Sequence, residues 1–134
     1  MQRFDEIREK ILAELTSDHK EIIAAYLAHF EADLRRFAES MANSLLRWEL
    51  LDSSILANEK RAYISALLYT TITLHVLSMK LLVSGYTVAA GNLLRQVVET
   101  LCVALVCSGK DTGILDRFME NRYSTKNAVR DAMR

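Results

Sequence analysis

The chain has no proline and only four glycines in 134 residues. These residues most often break helices and build tight strand turns, so their scarcity argues against a sheet-rich fold. Cysteine is nearly absent as well. Cys102 and Cys107 stand five apart on one expected helix, too far along and around it to close a disulfide, and read as structural thiols in a reducing compartment. Net charge is also missing. The 17 basic and 17 acidic residues cancel, so no bulk field draws the chain to nucleic acid or to an anionic membrane. The opening MQRFDEIREKILAEL mixes charged and apolar residues at helical spacing and lacks the unbroken apolar core of a secretory signal. The expectation is a cytoplasmic, all-α, single domain over residues 1–134.

Reaction motifs are missing too. No Glu-x-x-His and no histidine pair at i,i+4 occur, and His19 and His29 are ten apart, so neither di-iron nor zinc spacing is met. There is no G-x-S-x-G, no glycine-rich phosphate loop and no basic neighbour beside either cysteine. No catalytic residue, metal or cofactor is assigned from these patterns, and whether the chain is an enzyme stays open.

What is there is unevenly spread. Residues 1–61 hold 12 acidic and 9 basic side chains and residues 109–134 hold 4 and 6, whereas the 47 residues between contain only Lys80, Arg95 and Glu99. That middle segment is the expected core. Around it, apolar spacing predicts an antiparallel up-and-down bundle of four to five main helices. A short helix over 3–15 carries Phe4, Ile7, Ile11, Leu12 and Leu15 on one side. Asp18 and Glu21 form a capping-box pattern opening a helix near 30 residues long, striped by Ile23, Leu27, Phe30, Leu34, Phe37, Met41, Leu45 and Trp48. Asn58 caps a helix running to about Ser84, with Leu68, Ile72, His75, Met79 and Leu82 on one side and Ala62, Ala66, Thr70, Thr73, Lys80 and Ser84 on the other. Gly85 ends it and turns the chain into helix 86–108. Asp111 or Thr112 caps a short helix holding Ile114, Leu115, Phe118 and Met119, and Ser124 starts a final segment.

The uncharged stretch from Ala62 to Met79 is 18 residues, at the lower edge for a membrane span. Insertion would place threonines, His75 and, on the next helix, Arg95 and Glu99 in hydrocarbon, so a soluble inner hairpin is the preferred reading. On that next helix Asn92, Arg95, Gln96 and Glu99 fall within about 100° of one another, a polar patch two turns tall. Two readings are open. The patch is a locally exposed surface with a weak i,i+4 pair, or a partly buried network reaching His75 at similar height on the facing arm of the hairpin. An enzyme reading would need His75, Arg95 and Glu99 to converge beside a cavity.

The run TLHVLSMKLLVSGYTVAAGNLLRQVVETLCVAL, with a histidine-bearing apolar helix, a glycine turn, Leu-Leu-Arg and a glutamate four later, resembles uncharacterised bacterial proteins allied to the HEPN superfamily. The resemblance covers roughly residues 60–108. It implies a four- or five-helix bundle, often dimeric, with RNA as partner, because many such proteins are ribonucleases of toxin–antitoxin, phage-defence or RNA-processing systems. Their motif, an arginine separated from a histidine by four to six residues, does not occur in these 134 residues. A histidine suitably placed after Arg130 or Arg134 in a longer chain would supply it. Arg122, Lys126, Arg130 and Arg134 step by four, which predicts a basic ladder along one helix face suited to RNA phosphates. The leading expectation is therefore an RNA-associated HEPN-like homodimer. The alternative is a homo-oligomeric protein-interaction module without a nucleic-acid role, docking through the stripe from Ile23 to Trp48.

Overall fold

The structure, a computed structural model, describes residues 2–110 and 113–134. Among these the chain is all-α, with six helices and no strand: α1 (Gln2–Leu15), α2 (Lys20–Ser53), α3 (Glu59–Val83), α4 (Thr87–Ser108), α5 (Gly113–Met119) and α6 (Thr125–Ala132). The proposed caps at Asp111 and Thr112 lie outside the described residues.

Local chemistry explains most boundaries. The Asn58 side chain accepts a hydrogen bond from the Arg61 backbone N–H and starts α3. At the other end Gly85 takes φ +89, and its N–H and that of Tyr86 bond back to Leu82 O at 3.0 Å and Leu81 O at 2.9 Å. This is a Schellman stop, and it needs the left-handed backbone that glycine adopts without a Cβ clash. Ser124 accepts from the Asn127 N–H and opens α6.

The start of α2 departs from expectation. The N-cap is His19, in the left-handed region at φ 49, and no side-chain cap forms. The capping box fails because the Asp18 carboxylate is drawn to its near neighbour, with Lys20 Nζ at 2.7 Å, and that hydrogen bond lowers the Asp18 pKa. Further on, α2 is interrupted at Phe30 (φ −125, ψ 20). There the His29 Nδ1–H donates to the Ala25 carbonyl at 2.9 Å, a side chain inserted into the backbone ladder.

Helices α2, α3 and α4 run up, down and up, each packed against the next, and α6 lies on α4. Cross-contacts fix the α2–α3 register: Ile22 meets Gly85, the Phe37 and His75 rings meet edge to face at 5.0 Å, and Trp48 reaches Ser65. Between α3 and α4 the approach is close because the facing residues are small. Thr71 and Ser78 on α3, and Ala90, Val97 and Ala104 on α4, recur at sevens and are buried. Each α3 hydroxyl buried here has a carbonyl to bond: Thr71 donates to Leu67 O and Ser78 to Ala90 O. A compact apolar cluster of Val103, Cys107, Leu115 and Ala128, flanked by Tyr63, Ile64, Phe118 and Tyr123, ties α5 and α6 to the end of α4. Burial raises the Cys107 thiol pKa, as suits a packing residue.

The far side is open. Among the described residues both α2 and α4 lean on α3 without packing along each other, and α1 packs along no other helix. Neither α1 nor α2 contains a fully buried residue among those described.

Candidate functional site

The gap between α2 and α4, floored by α3, is a groove of about 540 Å³. Met41, Trp48 and Leu51 form one wall, Leu94, Val98 and Leu101 the other, and Leu68, Ile72 and His75 rise from the floor. Polar atoms are few: Ser44 and Arg47 stand on the α2 side and Thr71 at the back. Arg47 forms no salt bridge among the described residues. The α4 wall follows from spacing, since 94, 97, 98 and 101 recur at i, i+3, i+4 and i+7 on one face.

One polar system braces this region. Trp48 Nε1–H is shared between the Ser65 hydroxyl at 2.8 Å and the Ser65 carbonyl at 3.0 Å, and the Ser65 hydroxyl donates to Asp52 Oδ1 at 2.8 Å. The Trp48 and Tyr69 rings lie 4.6 Å apart. Ser65 is 2% exposed. The chain Trp48–Ser65–Asp52 therefore holds the end of α2 to α3 and sets the groove's width.

The sequence-predicted polar patch lies elsewhere. A helix turns 100° per residue, so the face carrying Leu94, Val98 and Leu101 into the groove turns Asn92, Arg95 and Gln96 to solvent. Arg95 Nε donates to Glu99 Oε1 at 2.8 Å, with the side chains 79% and 29% exposed. This is the surface reading. The buried network with His75 does not form, because His75 faces Phe37 and the groove. His75, Arg95 and Glu99 do not converge on a cavity, so the arrangement an enzyme reading required is not met.

The basic ladder is also rearranged. Ser124 caps α6, so Arg122 falls in the preceding turn, where it pairs with Glu120, and only Lys126 and Arg130 lie on the helix itself. Arg130 Nε donates to Asp131 Oδ1 at 2.9 Å, and Tyr123 donates its hydroxyl to Asp131 Oδ2 at 2.8 Å. The Arg130 guanidinium, then the Tyr123 hydroxyl, hold the Asp131 carboxyl below its usual range. Burial, with Asp131 second, pushes Tyr123 up to about 12. Lys126 and Arg134 are exposed and form no salt bridge among the described residues. A single four-cation face is therefore absent.

A second polar cluster sits at the elbow between α1 and α2. Tyr86, just past the α3–α4 turn, donates to Glu14 Oε1 at 3.0 Å, and Ser17 donates its hydroxyl to the Glu14 carbonyl at 2.9 Å. His19 Nε2 lies within hydrogen-bond distance of both hydroxyls, 2.8 Å from Tyr86 Oη and 2.9 Å from Ser17 Oγ. The Glu14 bond raises the Tyr86 pKa. The cluster ties the end of α1 and the start of α2 to the α3–α4 turn.

Among the described residues no group of three or more His, Cys, Asp or Glu side chains is placed to hold a metal ion. Helices α3 and α4 are long and apolar enough to cross a membrane by length and composition, with mean hydropathy 1.6 and 1.4 over their most apolar windows. Comparison with protein-family models, curated proteins and solved structures found no match to this chain.

Proposed function

We propose that the chain is a homo-oligomeric interaction module whose α2–α3–α4 groove is closed by a second copy, the dimer being the working unit. The observation that carries this reading is surface area. The chain exposes 10013 Å², whereas a compact monomer of 15.2 kDa exposes about 7,100 Å². The excess of about 2,900 Å² per chain exceeds the roughly 1,000–2,500 Å² that each partner of an obligate homodimer buries. Much of it is apolar, including Val98, Leu101 and Leu94 on the groove wall. A groove lined this way and left in water is costly, at about 25 cal/mol per Å². An equal patch on a second copy is the partner always present at the same concentration.

Light scattering on the purified chain tests this. A mass of about twice 15.2 kDa supports it, and a monomer at every concentration overturns it. Recovery only in detergent-solubilised membranes would instead assign the apolar surface of α3 and α4 to lipid.

A second reading, the HEPN-like RNA-associated module linked to toxin–antitoxin or phage-defence systems, draws support from the α3–α4 hairpin, which folds antiparallel from the residues of that pattern. Lys126 and Arg134 remain for phosphate contacts; Arg122 and Arg130 are engaged by carboxylates. Salt-dependent binding to mixed RNA that is lost in Lys126→Ala/Arg134→Ala supports it, and no binding by wild type removes it.

A further inference from the structure

We infer that α1 is the segment of the second copy that seats in the groove, so that two chains exchange their N-terminal arms. This rests on the dimer reading and names the contact within it. Helix α1 is amphipathic, with Phe4, Ile7, Ile11 and Leu15 on one side, and all four are exposed, Leu15 to 75%. Among the described residues it packs along no helix of its own chain.

The lengths decide where it goes. At 1.5 Å per residue, the ridge from Phe4 to Leu15 is about 16 Å long and the α2 wall from Met41 to Leu51 about 15 Å, so ridge and wall match. The same rise places Met41 at most about 31 Å from Lys20, less by whatever the break at Phe30 bends α2. Folded back along its own α2, the 14-residue α1 spans about 21 Å and stops at most about 10 Å short of the groove. Its own groove is out of reach; another copy's is not. The elbow agrees with this. The Glu14–Tyr86–His19 cluster ties the end of α1 to the α3–α4 turn instead of along α2, and His19 has left-handed backbone at the bend. Reciprocal seating closes two grooves and covers two arms with one two-fold axis.

The exchange is tested with full-length variants. Ile7→Glu/Ile11→Glu spoils the arm, and Val98→Glu, at a half-exposed wall position, spoils the groove. Each alone is expected to halve the mass seen by light scattering while leaving far-ultraviolet helicity unchanged. Mixed one to one, they are expected to recover a heterodimer, because the groove-defective chain still has a sound arm and the arm-defective chain a sound groove. Dimeric wild type with an arm variant that stays dimeric overturns the exchange and leaves the dimer reading intact. Failure of the mixture to associate also overturns it, since a sound arm and a sound groove are then both present on different chains without pairing. Monomeric wild type overturns both. Wild-type binding to phosphatidylglycerol vesicles that is lost in the arm variant, with mass unchanged, would assign α1 to a lipid surface instead.

Discussion

Ser65→Ala tests the account of how α2 is held to α3. The substitution removes a hydroxyl that accepts from Trp48 and donates to Asp52, at a residue 2% exposed. The cost is set by what is stranded. Trp48 Nε1 keeps the Ser65 carbonyl at 3.0 Å, and Asp52 is exposed enough to take water instead. No donor or acceptor is left buried without a partner, so the loss is that of a hydrogen bond exchanged for a weaker arrangement, about 1–1.5 kcal/mol. For 134 residues the unfolding entropy near the midpoint is about 280 cal/mol/K, so the loss corresponds to about 4–5 °C. Trp48 is the single tryptophan, and its emission during urea unfolding at fixed protein concentration reports the change directly. A loss above about 3 kcal/mol would mean that a group is stranded after all. An unchanged midpoint would mean that the Trp48–Ser65–Asp52 chain does not brace the helices.

Other substitutions probe single features. Gly85→Ala forces a Cβ onto φ +89 and is expected to destabilise by about 1–2 kcal/mol in urea titration. Arg95→Ala, removing an exposed i,i+4 pair, is expected to change stability by less than about 0.5 kcal/mol; a loss of several would restore the buried-network reading. Tyr123 titrates near 12 in the folded chain against 10.0 ordinarily. The unfolded chain therefore releases that proton first, so stability is full below pH 10 and falls as pH rises toward 12; Tyr123→Phe is expected to flatten this slope in alkaline melts. At the acid end, the depressed Asp131 adds stability above its ordinary 3.8 that is lost as pH falls through the folded value, and Asp131→Asn is expected to remove that acid dependence.

The helices were legible because their signals are local. Asn58, Gly85 and Ser124 act on backbone groups within three or four residues, and each ends or starts a helix where its chemistry requires. The apolar side of α3, with Leu68, Ile72, Met79 and Leu82, could likewise be plotted from periodicity. What was not legible depends on distant partners. Ser65, Thr71 and Ser78 look like solvent-facing residues in sequence, yet they form the close α3–α4 and α2–α3 contacts because their small side chains admit a neighbouring helix. The capping box at Asp18 was a correct local pattern overruled by Lys20 and by the Tyr86–His19 contact, made 67 positions away. The break at Phe30 had no glycine or proline to announce it. The groove was not legible because Leu94, Val97, Val98 and Leu101 resemble any core face; it is the gap left between them and the α2 wall, which depends on how the helices pack, that makes a site.

The central claim is that this surface is closed by a second copy. Static light scattering on the full chain, across a hundredfold dilution, tests it most directly. The account predicts a mass near twice 15.2 kDa that falls toward the single-chain value on dilution or on Val98→Glu. A mass of one chain at all concentrations, with native helicity and no association with lipid, would contradict it.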